Sequence, residues 1–314
     1  MLLSVEDLTI EAGGRRPILR EVSLSVGKGE VVGLVGESGS GKSTIARAVL
    51  RLLPQGARVS GRVLVSGDDV LSMGPAALRD LRAAQVSMIY QDPRSSLNPV
   101  RRIGDFLTER MVLTLGRSKA EARTRALELL AAVGLRDPER CVRQYPHELS
   151  GGMLQRVVIA AALAADPALL LADEATSALD VTTQAETLAL LRRIQAEREL
   201  GMLFITHDLH LAAAYCDRVH VLYAGAVVES RPAKELFADP RHPYTAGLLA
   251  CTPELGDPRP IRPIPGRPPS LDDAFTGCPF APRCPHATGD CDAWQPRPLT
   301  VAGGSAACRL VEAR

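Results

Sequence analysis

Short apolar runs separated by turn residues recur along the chain and predict buried strands. The clearest cover residues 30–35, 169–172 and 202–206, and a further strand is predicted at 218–223. Runs of this length without polar alternation are typical of strands that are covered on both faces of a sheet. The segments between them carry helical spacing, as in residues 44–50, so strands and helices alternate. This alternation predicts an α/β fold.

Two flanking regions have a different pattern. Residues 1–35 and 59–70 consist of short strand-like segments with glycine turns, which predicts an antiparallel β edge. Residues 91–165 are rich in helical pattern, with an amphipathic stretch at 119–133 and a second helix continuing through 157–164, and predict a helical subdomain. We expect these regions to form one domain over residues 1–231.

The remaining part of the chain is unusually rich in proline. Fifteen of the 23 prolines fall between Pro232 and Pro298. Proline restricts helices, so residues 232–314 are predicted to form an extension wrapped on the first domain or on a partner. A second hydrophobic domain is not expected there.

One glycine-rich turn carries specific chemistry. It lies directly between the strand predicted at 30–35 and the helix predicted at 44–50, a context that a chance match would lack. Its pattern, G-x-x-x-x-G-K-S, turns backbone N–H groups inward at a helix N-terminus and predicts a nucleotide triphosphate site. Lys42 is expected to reach the outer phosphates, and Ser43 to hold Mg²⁺. The turn consists of Gly36, Glu37, Ser38, Gly39, Ser40, Gly41, Lys42 and Ser43.

Two further motifs fit such a site. Asp173 and Glu174 end the second apolar run, where Asp173 can bind Mg²⁺ and Glu174 can polarise an attacking water. Solvated acids at a helix start are the alternative. Ser150 stands in an N-cap position before Gly151 and Gly152, which would let a phosphate approach the backbone. Taken singly, this is also an ordinary helix cap.

With Gln91 and His207 added, the order and spacing of these motifs resemble the ATP-binding-cassette family. The resemblance assigns each motif a role: the Walker A loop at Gly36 to Thr44, the Q-loop glutamine at Gln91, the signature at 149–153, the Walker B pair at Asp173 and Glu174, the D-loop at Ser177 to Asp180 and the switch histidine at His207. It also implies ATP and Mg²⁺ as ligands.

The same resemblance implies a head-to-tail dimer with two ATP molecules between the Walker A loop of one subunit and the signature of the other. The implied catalytic residues are Lys42, Gln91, Glu174 and His207, and the implied Mg²⁺ ligands are Ser43, Gln91 and Asp173. Ser150, Gly151 and Gly152 would act in trans on the γ-phosphate. A monomer is expected to hydrolyse ATP poorly.

One feature departs from that family. Its members usually stack adenine on an aromatic side chain well upstream of Walker A, but the first aromatic residue of this chain is Tyr90. Stacking is worth about 1–3 kcal/mol, so its loss is expected to weaken nucleotide binding about ten-fold or more. Ile18 or another apolar side chain would have to substitute.

Composition narrows the possible partners. A net charge of +1 and an aromatic content of 4% disfavour nucleic-acid binding. The first residues contain no basic segment followed by an apolar core, so export is not expected. The longest apolar stretch, residues 157–165, is well short of the roughly 18–20 residues that a spanning helix needs. Any membrane role is expected to be peripheral.

Four of the seven cysteines gather in the extension, at Cys278, Cys284, Cys291 and Cys308. Disulfides are disfavoured because an ATPase face belongs in a reducing compartment. A zinc site would lack the usual C-x-x-C pairs, and an iron–sulfur cluster would need four thiolates converging from flexible loops. The residues alone leave a metal centre and four unligated thiols both open.

The segments 241–245, 265–271 and 277–285 resemble the C-terminal region of dipeptide and oligopeptide import ATPases. This resemblance implies a [4Fe–4S] cluster on the four cysteines, a related second cassette, two permease subunits and an extracytoplasmic solute-binding protein. It also implies a peripheral position on the cytoplasmic side of the inner membrane. Nickel and glutathione importers share much of the pattern. We expect the cluster to be structural, since no spacing places the extension near Lys42 or Glu174.

Another class of cassette protein is the soluble ATPase of DNA repair or translation. Repair members insert a long coiled coil between Walker A and signature, whereas Lys42 and Ser150 are only 108 positions apart. Translation members usually carry two cassettes in one chain. A vestigial cassette with a redox or metal-sensing tail is disfavoured because Lys42, Asp173 and Glu174 are all present.

Overall fold

The computed structural model describes residues 1–11, 13, 17–176, 179–252, 263–271, 273 and 275–312, which form two sheets and the helices around them. The strands are β1 (Leu3–Glu11), β2 (Leu19–Val26), β3 (Val31–Val35), β4 (Arg58–Val65), β5 (Asp68–Asp69), β6 (Val86–Ile89), β7 (Leu169–Asp173), β8 (Gly201–Ile205), β9 (Arg218–Tyr223), β10 (Ala226–Pro232), β11 (Leu299–Val301) and β12 (Gly304–Ala306). The α-helices are α1 (Lys42–Val49), α2 (Pro75–Asp80), α3 (Ile103–Leu113), α4 (Lys119–Ala132), α5 (Pro138–Cys141), α6 (Gly151–Ala162), α7 (Val181–Arg198), α8 (Leu209–Tyr215), α9 (Ala233–Ala238), α10 (Pro243–Ala250) and α11 (Arg309–Glu312).

The first sheet is antiparallel, with strand order β2-β1-β4-β5. In β1, Leu3, Val5, Leu8 and Ile10 are buried while the positions between them are more exposed. This alternation is the pattern of a sheet with one face on a core. The predicted antiparallel edge is therefore confirmed. Its proposed limit at residue 35 was wrong, because β3 lies in the other sheet.

The second sheet has the order β11-β12-β10-β9-β3-β8-β7-β6. From β9 to β6 neighbouring strands are parallel. Every residue of β3, β7 and β8 is buried, which explains why these strands are apolar runs without alternation. The α/β prediction is confirmed. Parallel neighbours bring their carboxyl ends to one edge, so the loops after β3, β8, β7 and β6 lie together.

Helices α3, α4 and α6 form a layer beside the parallel sheet. Helix α4 begins with a capping box: the Glu121 amide donates to Ser118 Oγ at 3.2 Å, and the Ser118 amide donates to Glu121 Oε2 at 2.8 Å. Apolar side chains from the three helices share one core, including Ile103, Leu107, Met111, Ala122, Ala126, Leu130, Leu154 and Val157. No helix in the described part of the chain is long and apolar enough to cross a membrane.

The C-terminal residues pack directly on the parallel sheet. Strand β12 pairs with β10, where Glu229 lies opposite Ala306, and so extends the sheet at one edge. Phe280 is buried with its ring 5.3 Å from the rings of both Tyr223 and Tyr244. These contacts join the end of β9 to two parts of the extension, helix α10 and the segment around Phe280, in one aromatic cluster.

Candidate nucleotide site

The predicted site residues follow four neighbouring strands. The phosphate loop follows β3, and His207 follows β8. Asp173 ends β7 with Glu174 directly after it, and Gln91 follows β6. Because these strands run in the order β3-β8-β7-β6, their carboxyl ends place all four segments along one edge. Ligands of open parallel sheets bind in this kind of position.

The phosphate loop adopts a backbone that only glycine accepts easily. Gly36, Gly39 and Gly41 have φ values of 146°, 78° and 106°. A Cβ at Gly36 would collide with the Leu222 carbonyl, so this glycine is also required by close packing. Helix α1 begins at Lys42, two residues earlier than the sequence suggested. The loop therefore presents its amides at a helix N-terminus, as an anion site requires.

Lys42 lies folded against its own loop. Its Nζ donates to the carbonyls of Gly36 at 2.8 Å and Glu37 at 2.9 Å. Burial lowers the pKa of Lys42, while the charges of Glu174, Asp173 and Glu37 act in the opposite direction. These acidic neighbours favour the ammonium form. The ammonium is thus held at the loop centre, where an incoming phosphate can replace carbonyl oxygens as its acceptor.

Ser43 and Asp173 meet although they are 130 positions apart in sequence. Ser43 Oγ donates to Asp173 Oδ1 at 2.8 Å, and burial raises the pKa of the Asp173 carboxyl. Mg²⁺ prefers oxygen ligands and is usually bound by one or two protein groups together with substrate phosphates. The two oxygens next to the phosphate loop fit this requirement.

Glu174 is held between the other two predicted catalytic side chains. Gln91 Nε2 donates to Glu174 Oε2 at 2.7 Å, and His207 Nδ1 lies 3.4 Å from Glu174 Oε1. Glu174 has a φ of 49°, a left-handed conformation that costs a non-glycine residue energy and is frequent at functional sites. Gln91 thus contacts Glu174 rather than the Ser43–Asp173 pair. A Mg²⁺ role for Gln91 remains a prediction.

The predicted signature residues lie at the start of helix α6, apart from the phosphate loop. Ser150 caps α6 by accepting from the Met153 amide at 3.3 Å, and in the described residues no hydrogen bond joins it to the phosphate loop. A Cβ at Gly152 would lie 2.9 Å from the Thr183 side chain at the start of α7. Of the predicted D-loop, Ser177 and Ala178 lie outside the described residues, and Asp180 caps α7.

Sequence reasoning missed two side chains that reach the phosphate loop from the C-terminal part. Tyr244 Oη accepts from the Glu37 amide at 2.9 Å, and Arg283 pairs with the Glu37 carboxylate. The sequence spacing therefore gave no sign that the extension approaches the loop that carries Lys42. The 246 positions between Glu37 and Arg283 hide the contact, because neither the phosphate-loop motif nor the segment 277–285 indicates what it packs against.

The four extension cysteines line one small cavity of about 20 Å³. All are free, and burial raises the pKa of Cys278 and Cys284, and that of Cys308 to about 11. Within the described residues, no group of three or more His, Cys, Asp or Glu side chains is arranged to hold a single metal ion. The donor set, four thiols around one cavity, suits a thiolate-bound group.

Two family models match the chain. One, described as ABC transporter, matches residues 19–177, and the other, described as the C-terminal region of oligopeptide/dipeptide transporters, matches residues 228–291. The chain belongs to the ATP-binding-cassette (ABC) transporter family. Its C-terminal part carries the region typical of the oligopeptide and dipeptide transporters within that family.

Similarity to individual relatives supports the same family. The oligopeptide transport ATP-binding protein OppD of Salmonella typhimurium is 43% identical over 312 residues, which cover 98% of this chain and 93% of the relative. OppD of Mycobacterium tuberculosis is 47% identical over 307 residues, 96% of this chain, and the chain spans 50% of that relative's length. The structure of the ATP-binding cassette MJ0796, a dimer in a post-hydrolysis state bound to ADP and Pi, has a TM-score of 0.65 at 29% identity and covers 74% of this chain and 99% of its own.

Proposed function

We propose that this chain is the ATP-hydrolysing subunit of an importer of dipeptides or oligopeptides. The observation that carries this proposal is the convergence of the phosphate loop, the Ser43–Asp173 pair and the Gln91–Glu174–His207 group at one sheet edge. The match of residues 228–291 to the oligopeptide/dipeptide transporter region supports the peptide substrate.

Each residue of the site has a distinct task in this function. The amides of the phosphate loop and Lys42 bind the β- and γ-phosphates. Ser43 and Asp173 hold Mg²⁺, which neutralises charge on the phosphates when bound. Glu174 accepts a proton from the attacking water, since its carboxylate lies at the strand end next to Asp173. Gln91 and His207 orient that carboxylate through the contacts at 2.7 Å and 3.4 Å.

The separate position of the signature supports a shared site. Ser150, Gly151 and Gly152 serve an ATP molecule bound by a partner cassette, and the partner's signature serves the ATP on this chain. We assign residues 1–231 to the nucleotide-binding domain, with its helical subdomain at about 91–165, and residues 232–314 to the extension. The partners are a second, related cassette, two permease subunits and an extracytoplasmic solute-binding protein. The chain is peripheral on the cytoplasmic side of the inner membrane.

The cysteine cavity is the proposed site of a [4Fe–4S] cluster held by Cys278, Cys284, Cys291 and Cys308. Four thiols from separate positions of the extension line one cavity and support this proposal. Four metal–thiolate bonds would crosslink a segment that has little regular structure of its own.

Co-purification with the permeases that are encoded beside this chain tests the proposal. The assembled complex is expected to hydrolyse ATP faster when a peptide and its binding protein are added. Stimulation by nickel or glutathione alone would reassign the solute. A chain that stays free of membranes and permeases would favour the soluble class of cassette ATPases instead.

A further inference from the structure

One arginine of the extension reaches into the phosphate loop. Arg283 Nη1 donates to Glu37 Oε2 at 2.7 Å, and Arg283 Nη2 donates to Glu37 Oε1 at 2.9 Å. Two parallel bonds of this kind form a fork that a lysine cannot reproduce. The side chains of Arg283 and Glu37 are only 5% and 25% exposed, so water screens this pair less than a surface salt bridge.

Hydrogen bonds to the extension and to the sheet fix the orientation of the Arg283 guanidinium. Its Nε donates to the Pro265 carbonyl at 2.8 Å, and Nη1 also donates to Tyr223 Oη at 3.3 Å. The backbone of Arg283 is fixed by a bond from its amide to the Phe280 carbonyl at 2.9 Å. The arginine is thus preorganised, and little side-chain freedom is lost when it pairs with Glu37.

Glu37 is tied at every polar group. Its carboxylate accepts from Arg283, its amide donates to Tyr244 Oη, and its carbonyl accepts from Lys42. The carboxylate is also close enough to Lys42 for its charge to act on the ammonium. Without Arg283, that carboxylate would be an unpaired negative charge beside the place where a triphosphate binds, and it would repel the phosphates.

We propose that Arg283 is a positioning residue for nucleotide binding. It fixes the first turn of the phosphate loop through Glu37 and cancels the charge of that carboxylate, so the C-terminal extension forms part of the support of the ATP site. This inference relies on the proposed function only in taking ATP as the ligand of the loop.

Nucleotide affinity of the full chain tests the proposal. Mg²⁺-ATP binding is measured by calorimetry for wild type, Arg283→Gln, Arg283→Lys and Arg267→Gln. Arg283→Gln loses the charged hydrogen bonds to Glu37, so this variant should bind ATP about ten-fold more weakly. Arg283→Lys keeps the charge without the fork and should bind about three-fold more weakly. Arg267 is the matched control, because it is 80% exposed and pairs with Asp273 inside the extension. Its variant should bind as wild type does.

Two further readouts separate positioning from a loss of folding. In a Glu37→Gln background, Arg283→Gln should cause no additional loss of affinity, because its partner is already changed. In the assembled transporter, Arg283→Gln should raise the KM for ATP about ten-fold with kcat within about two-fold of wild type. A general structural defect would lower kcat and the melting temperature as well.

The outcomes are distinguishable. If wild type binds ATP and Arg283→Gln binds it equally well or more tightly, the positioning role is wrong. An equal loss in the Glu37→Gln background would show that Arg283 acts by another route and would also overturn it. Should Arg283→Gln fail to fold, Arg283→Lys decides, and wild-type affinity would then contradict the proposal. A wild-type chain that binds no ATP would instead refute the proposed function.

Discussion

Replacement of Glu174 by glutamine removes the proposed general base while keeping the shape of the site. Glutamine can still meet Gln91 and His207, whose contacts with the carboxylate measure 2.7 Å and 3.4 Å, but it cannot take a proton from water. Phosphate binding depends on Lys42 and the loop amides, so ATP affinity should be retained. General-base catalysis is worth about 10²–10⁴-fold, or about 3–5 kcal/mol in the barrier. Hydrolysis should fall by that factor, and closed dimers should accumulate.

The assay is phosphate release by the assembled complex at saturating ATP. Glu199→Gln is a matched control, because Glu199 shares the left-handed backbone with a φ of 50° but is 69% exposed and pairs with Lys28. Its turnover should equal that of wild type. If Glu174→Gln also keeps wild-type turnover, Glu174 is not the base.

Three other predictions concern binding, acid stability and the extension. Lys42→Ala should abolish ATP binding in the isolated chain. Ser150→Ala should leave that binding nearly intact and impair hydrolysis in the assembled complex. Equal losses of ATP affinity in the two variants would contradict a shared site. Burial lowers the pKa of His220 to about 3, while in the unfolded chain this imidazole takes up its proton near pH 6.5. The neutral buried His220 therefore lowers the free energy of unfolding only below about pH 6.5, and increasingly so as the pH falls towards 3. The loss at pH 5 is about 2 kcal/mol in denaturant unfolding, and a His220→Leu variant with the same loss would refute this cause. Wild-type protein that is purified without oxygen should be brown, and the Cys284→Ser variant should be colourless but keep an intact phosphate loop. A colourless wild type that holds about one zinc per chain would indicate a zinc site instead.

Much of the candidate site follows from local sequence. The phosphate loop, Asp173 and Glu174 each end a short apolar run, and parallel strands necessarily bring their carboxyl ends together. The contact between Ser43 and Asp173 across 130 positions could therefore be anticipated from the strand pattern. The apolar run at residues 30–35 indicates a strand covered on both faces, so only the grouping of the whole region 1–35 with the antiparallel edge is wrong. The uniformly apolar side chains of residues 31–35 belong to the centre of the parallel sheet.

The contacts of the extension could not be anticipated in the same way. A proline-rich segment has no periodicity that shows which face it buries, and the bridge between Glu37 and Arg283 spans 246 positions. Arg283 lies three residues after Phe280, whose ring packs against Tyr223 and Tyr244. Such contacts are a property of tertiary packing, and no local rule encodes them.

The most direct test of the account is solute uptake by the complete transporter in vesicles loaded with ATP. With the solute-binding protein outside, a labelled oligopeptide should accumulate inside wild-type vesicles. It should not accumulate in vesicles that carry Glu174→Gln or that contain no ATP. Peptide uptake that is independent of ATP and of Glu174, or ATP hydrolysis that no peptide stimulates, would contradict a peptide importer driven by this chain.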